Sequence, residues 1–368
     1  QVKAGRTIML NDRVVASQKK PLPDGWYSTD AWTEYGLKFI DEAVAAQQPF
    51  LLYLAHNAPH VPLQATAADI AKHRGKYRQG WDVIAQRRWQ KQVELGIVDA
   101  AWRPAERPEG VADWNDLTAD QRDRFDHLMA AYAACVDRMD QSIGKLVAGL
   151  ESRQILDNTL ILFMSDNGGS AEGGPAGKTV GDPTTAKSNW FCGKSWAWVE
   201  DVPFRKFKKY SHEGGVATPL IAHWPAGIAE RGGLRTAPAH VIDVMSTIVD
   251  VTGGVYPKER NGATITPTAG VSLRPLFAEE APLQREALFW EHEGNAAIRH
   301  GDWKLVREGA RGAWELYDLT IDRTESRNVA AEHPDRIADL AARWHDWAER
   351  CRVSPHGAPK RRKAESTP

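Results

Sequence analysis

The chain has 368 residues, of which 42% are hydrophobic and 26% charged, and its formal net charge is −1. That balance argues for neither a nucleic-acid partner nor an anionic membrane surface, and no apolar run reaches the roughly 18 residues of a membrane-crossing helix. The length suits one large α/β domain with a smaller attachment, or two ordinary domains. The opening "QVKAGRTIMLNDRVV" lacks the apolar core of a signal peptide.

In chain order, residues 29–46 place Trp32, Phe39, Ile40, Ala43 and Val44 on one helical face, with Thr29 or Asp30 available as N-cap. Residues 50–55, in "PFLLYLAHNAPH", form a short continuous apolar run, the pattern of a strand buried on both faces. Residues 64–117 are rich in Trp, Arg and Pro and read as short helices and loops, with 78–96 helical. The clearest helix is 119–150, where apolar residues from Phe125 to Leu150 recur at helical spacing behind a capping box of Thr118 and Gln121.

Asp157-Asn158 then turns the chain into a strand over 159–164. Strand, helix and strand in succession predict a βαβ unit of a mainly parallel sheet. In such sheets ligands gather beyond the carboxyl ends of the strands, where "AHNAPH" and "SDNGG" both lie. Residues 168–200 are Gly-rich and read as a loop. Residues 216–224 read as a strand that is short or begins at Pro219, and 239–252 as a helix stopped by Gly253-Gly254. From about 286, short segments broken by Gly and Asp predict an antiparallel meander. A helix over about 333–350 closes it, with Ile337, Leu340, Trp344 and Trp347 on one face. The tail is polar and expected to be disordered, and its Lys360-Arg361-Arg362-Lys363 run reads as a solvated end. Cys135 reads as a core thiol. Cys192 and Cys351 stay undecided, and three cysteines are too few for a disulfide framework or zinc site.

Three segments carry chemistry. Asp166 and Asn167, two oxygen donors at a strand end, suit a hard cation such as Ca²⁺ or Mg²⁺, although Asp-Asn-Gly is also ordinary turn chemistry. His60, after Ala58-Pro59 at the same predicted sheet edge, can act as general acid or base, or simply bond the backbone; His56 reads as structural. Arg205, Lys206, Lys208 and Lys209 precede Glu213-Gly214-Gly215, and a lysine there can hold sulfate or phosphate, or belong to a solvated basic loop.

In order and spacing, "PFLLYLAHNAPHVPLQ", "NTLILFMSDNGG", "VPFRKFKKYSHEGGVATPLIAHWP", "GVSLRPLF" and "NAAIRHGDWKLV…WELYDLTIDRTESRNVA" resemble the sulfatase family, most of all its bacterial arylsulfatases, up to about residue 350. The resemblance implies an alkaline-phosphatase-like α/β fold: a mixed, mainly parallel sheet between helices, with a small C-terminal antiparallel sheet plus helix. It implies a catalytic domain over 1–280, an antiparallel-sheet subdomain over 281–352 and a polar tail over 353–368. Calcium, alternatively magnesium, is the implied metal, with Asp166 and Asn167 as one pair of its ligands. His60 matches the histidine that contacts the sulfate ester and protonates the leaving oxygen. Lys208 matches the sulfate-contacting lysine, Lys209 lies one position out, and Glu213 with its glycines is expected to be structural. His292, in "WEHEGN", is a further candidate substrate contact.

The implied partner is a sulfated small molecule or carbohydrate. Trp190, Trp196, Trp198 and Trp290 could stack against it, or serve as core. A periplasmic or secreted location goes with the family. The family's nucleophile is a formylglycine made from Cys or Ser in a Cys/Ser-x-Pro-x-Arg pattern. No Cys or Ser here has Pro at +2 and Arg at +4, and the family's first strand with its paired aspartates is absent. The expectation is a chain equivalent to the C-terminal two-thirds of a sulfatase, with little or no turnover on its own. The alternatives are a phosphonate or phosphodiester hydrolase of the same superfamily, or a non-catalytic sulfate- or sulfoglycan-binding remnant.

Overall fold

The computed structural model describes residues 7–17 and 19–353. In chain order the first elements are β1 (Ile8–Leu10), β2 (Arg13–Ala16), α1 (Ser28–Ala45), α2 (Ala67–His73), α3 (Trp81–Glu94) and α4 (Ala119–Ser152). Next come β3 (Ile161–Met164), β4 (Lys178–Val180), β5 (Asn189–Phe191), α5 (Lys194–Asp201), α6 (Glu213–Val216), β6 (Leu220–His223) and α7 (Asp243–Thr252). The last are β7 (Glu259–Arg260), β8 (Ala263–Thr264), β9 (Leu288–His292), β10 (Asn295–His300), β11 (Trp303–Arg307), β12 (Glu315–Asp318) and α8 (Pro334–Arg350). They fall into two compact units. One takes the residues to Ile84, Pro108–Leu156 and Ser170–Ala197; the other takes Ala85–Arg107, Asp157–Gly169 and the chain from Trp198.

The first unit is organised by α4. Its capping box forms as the sequence predicts: Gln121 N–H donates to Thr118 Oγ1 at 3.2 Å, and Thr118 N–H donates to Gln121 Oε1 at 2.8 Å. α1 buries Thr29, Ala31, Thr33, Gly36 and Ile40, and Ser142 of α4 donates to Thr29 O. This corrects the predicted face. Small residues make up most of this buried set, while Phe39 and Val44 stay 37% and 41% exposed. Asp30 is not the N-cap, because its carboxylate takes Arg138 of α4; Tyr27 occupies that position without a side-chain bond. Trp81, Trp114, Phe125 and Trp196 form an edge-to-face aromatic core with centroids 4.8–6.3 Å apart.

Two expectations fail here. Residues 50–55 make no ladder, and Leu51 and Tyr53 are 72% and 89% exposed. An apolar run becomes a strand only where a neighbouring strand meets its N–H and C=O groups, and the described residues supply none. The segment 168–200 is not simply loop, because it contains the antiparallel β4–β5 pair and most of α5. Trp190 and Trp196, two of the candidate stacking residues, are 7% and 0% exposed.

In the second unit β3 pairs with β6 antiparallel, setting Phe163 opposite Ile221. β6 begins directly after Pro219, as the sequence suggests. The predicted parallel βαβ pairing does not form: every ladder among the described residues is antiparallel. The fold class holds, since the molecule is mixed α/β and ends in a small antiparallel sheet with a helix.

That sheet has the order β12-β11-β10-β9. Alternate residues serve its two faces. Ala296, Ile298, Leu305 and Leu316 pack on Leu340, Trp344 and Ala348 of α8. Ala297, Val306 and Tyr317 face the other way. The β9–β10 turn uses Glu293 and Gly294 at φ 51° and 91°, the paired left-handed conformations of a type I′ hairpin. The tail from residue 354 lies outside the described residues. No described helix is long and apolar enough to cross a membrane.

Candidate functional site

Four of the five candidate residues, Asp166, Asn167, Lys208 and His292, belong to the second unit; His60 belongs to the first. β3 delivers the chain into Ser165-Asp166-Asn167-Gly168-Gly169, and hydrogen bonds then fix that turn. Ser165 Oγ donates to Asn167 O at 2.8 Å, Thr218 Oγ1 to Ser165 O at 2.9 Å, and Asn167 Nδ2 to Gly168 O at 2.9 Å. With its amide nitrogen so engaged, Asn167 keeps its carbonyl oxygen as the ligating end. Asp166 is exposed.

Gly168 donates its N–H to Gly215 O at 3.2 Å, and a Cβ built on Gly168 would stand 1.8 Å from Gly214 O. Only glycine permits that approach. The next residue, Gly169, is held at both ends of its polar backbone. Its N–H donates to Asp201 Oδ1 at 2.7 Å, and its C=O accepts the backbone N–H of Lys208 at 3.0 Å. The Asp-Asn turn and the lysine segment are therefore joined through one residue.

The basic cluster sorts itself. Arg205 pairs with Glu315 at 3.2 Å, Lys206 with Glu308 at 2.6 Å, and Lys209 with Glu293 at 3.2 Å. Each of those three has a carboxylate partner from the C-terminal sheet or its turns, and Lys208, between them in sequence, is half-buried. His292 lies exposed at the β9–β10 turn. Asn295 Nδ2 donates to both His292 O and Lys209 O, at 3.0 and 2.9 Å, which seats that turn on the lysine segment.

Glu213 is structural in its contacts. Its two carboxylate oxygens meet Lys304 at 2.6 Å and Arg323 at 2.8 Å. Lys304 also lies 2.9 Å from Glu325, and Glu325 accepts the Glu213 N–H at 2.9 Å. Lys304, Glu213 and Glu325 are all buried. Burial pushes the Glu213 carboxyl up, but Lys304 and Arg323 outweigh it and bring it down to about 2. Glu315 behaves alike: burial is outweighed by His212, Tyr317 and Arg205, and its carboxyl also falls to about 2. Trp290 lies below Lys304, 5.8 Å from its Nζ, and Trp198 is 6% exposed, so both serve as core.

In the first unit, His60 is exposed on a segment pinned from both sides. His60 N–H donates to Asn57 O at 2.8 Å, and Leu63 N–H to Trp190 O at 3.0 Å. His60 Nδ1 lies 2.6 Å from Val61 O. A carbonyl can only accept, so Nδ1 carries the proton.

Asp201 went unread in the sequence. Its signal was an acidic pair, Glu200-Asp201, inside the apolar stretch "WAWVEDVPF". Burial pushes the Glu200 carboxyl up to about 8, against the charge of Arg88. Burial also holds Asp201 well above the usual carboxylate range, the Gly169 N–H opposing and Glu200 adding. Glu200 Oε1 and Asp201 Oδ2 are sealed from solvent without a hydrogen-bond partner.

As a metal site, Asp166 and Asn167 offer the right donor chemistry for a hard cation, a carboxylate and a carboxamide oxygen, but two of about six ligands. No group of three or more His, Cys, Asp or Glu gathers among the described residues.

Comparison with known proteins gives the following. A family model described as Sulfatase matches residues 7–255, and one described as N-sulphoglucosamine sulphohydrolase, C-terminal, matches 204–350. An uncharacterised sulfatase of Schizosaccharomyces pombe is 31% identical over 87% of this chain and 61% of its own length. The arylsulfatase of Klebsiella aerogenes is 30% identical over 70% of this chain and 58% of its own. The chain thus spans about 60% of these relatives. The crystal structure of Ps i-CgsB, solved also with k-i-k-neocarrahexaose, superposes with a TM-score of 0.58 at 24% identity, covering 90% of this chain and 57% of that one.

Proposed function

Because this chain belongs to the sulfatase family, whose model matches residues 7–255, we propose that it carries part of a centre for metal-assisted sulfate ester hydrolysis. Asp166 and Asn167 supply two oxygen ligands to a divalent cation, Ca²⁺ or Mg²⁺. Such an ion, when bound, neutralises charge on the sulfate oxygens. Lys208 holds the tetrahedral anion as a point charge. His60, as the family resemblance implies, serves as the acid that protonates the leaving oxygen. His292, on an exposed turn beside the lysine segment, contacts the substrate beyond the sulfate. The observation that carries this reading is the Gly169 junction between the Asp166-Asn167 turn and Lys208.

The substrate we propose is a sulfated carbohydrate or small molecule, in line with the arylsulfatase relative and the oligosaccharide bound by Ps i-CgsB. A formylglycine belongs to the family's chemistry. The Cys/Ser-x-Pro-x-Arg pattern for it does not occur in these 368 residues, so they are proposed to bind without turning over. The proposed division is a catalytic portion over 1–280 and a C-terminal portion over 281–352, and the proposed location is periplasmic or secreted.

The test is titration of the chain with 4-nitrophenyl sulfate in the presence of Ca²⁺, read by calorimetry. Saturable binding is expected, about tenfold weaker in Lys208→Ala and little changed in Lys209→Ala, with no release of nitrophenol. Equal binding by Lys208→Ala and the parent chain overturns the assignment of the lysine. Release of nitrophenol overturns the proposed lack of turnover.

A further inference from the structure

We propose that Asp201 is a positioning residue: through the Gly169 peptide it holds the Asp166-Asn167 turn in register with Lys208. This rests on the reading of that turn and lysine given above, and it adds a residue which no motif marks.

A turn leaving a strand has backbone groups that no ladder satisfies. In this turn Ser165 O goes to Thr218, Gly168 N–H to Gly215 and Gly169 O to Lys208. The remaining inward donor, Gly169 N–H, goes to a carboxylate oxygen at the C-terminal end of α5, 32 residues on. Asp201 Oδ1 would also lie 2.9 Å from a Cβ on Gly168, so the carboxyl packs on two consecutive residues of the turn. The other oxygen, Oδ2, is sealed from solvent without a partner. A buried carboxyl with half its capacity unused is unfavourable, and its place in the fold follows from the single bond it makes. That bond fixes the residue two positions after Asn167. The Lys208 N–H fixes the same residue from the other side. Take away Asp201, and the Asp166-Asn167 pair remains tethered to Lys208 on one side only.

The bond needs an acceptor oxygen, not a charge. Asn offers a carbonyl oxygen at the same place, so Asp201→Asn keeps the clamp and Asp201→Ala removes it. Hydrogen–deuterium exchange of the parent chain and both variants reads the turn directly, and a Ca²⁺ titration alongside reads the metal assignment. In Asp201→Ala, exchange across 165–170 should rise about tenfold, the effect of losing one buried hydrogen bond, while peptides from β10 and β11 keep their parent rates. Asp201→Asn should stay close to the parent.

Unchanged exchange in Asp201→Ala overturns the proposal, as does Asp201→Asn exchanging as fast as Asp201→Ala. A rise spread over β10 and β11 as well makes Asp201 a residue of general stability and overturns it too. If the parent chain takes up no Ca²⁺, the metal assignment falls by itself, and the positioning role is decided on exchange.

Discussion

The backbone N–H of Lys208 donates to the carbonyl of Gly169 at 3.0 Å. Two segments 39 positions apart in sequence, one carrying paired oxygen donors and the other an ammonium, are thereby set side by side in one unit. The glycines of both segments make this possible. Gly168 touches Gly214 O so closely that a methyl group would overlap it.

Gly168→Ala should therefore open the turn. Overpacking of this kind costs about 1–3 kcal/mol, and urea unfolding should show the loss. Gly144→Ala, at a helical site where a Cβ meets nothing within 4 Å, should leave stability unchanged or raise it.

Lys304→Met should be among the most damaging single changes. It leaves Glu325 buried without its cation and Glu213 with Arg323 alone, for which about 3–5 kcal/mol is expected. Adding Glu213→Gln and Glu325→Gln should recover part of the loss in the same urea titration. A triple variant no better than the single one would show that packing of the lysine stem, not charge, matters here.

Stability should respond to pH on both sides. Glu200 has its folded pKa raised to about 8 from an ordinary 4.5, so the folded chain binds the proton more tightly. The stability this confers is fully present below about pH 4.5 and is lost as pH rises through 8. The urea midpoint of the parent chain should fall from pH 5 to 9 more steeply than that of Glu200→Gln. Glu213 and Glu315, lowered to about 2, act in the opposite sense. Their contribution is present above pH 4.5 and is lost as pH falls towards 2, so Glu315→Gln should flatten the acid limb.

Thr118→Ala removes one half of the capping box at the start of α4, and about 1 kcal/mol of stability should go with it. Thermal unfolding of the two chains checks this. Thr118→Ser, which keeps the hydroxyl, should restore the parent value.

What was legible in the sequence was what is decided locally. The 119–150 periodicity and its cap signal lie within one stretch, and α4 formed as read. The meander and closing helix were equally clear, because alternation and Gly-Asp punctuation are short-range signals. Residues 50–55 misled because a strand depends on its neighbours, which no local pattern reports. The α1 face misled because its buried side carries Gly36, which lies against Leu52, and Thr33, while the larger Phe39 is exposed. The motif segments showed which residues carry chemistry, but not what holds them. Asp201 reaches Gly169 across 32 residues, and Lys304 reaches Glu213 across 91.

The central claim is that the turn after β3 is one part of a cation site poised beside Lys208. Calorimetric titration of the parent chain with Ca²⁺, set against the Asp166→Ala/Asn167→Ala double variant, tests it most directly. Saturable heat is expected from the parent chain and none from the variant. Identical heats from both, or no heat from either, would contradict it.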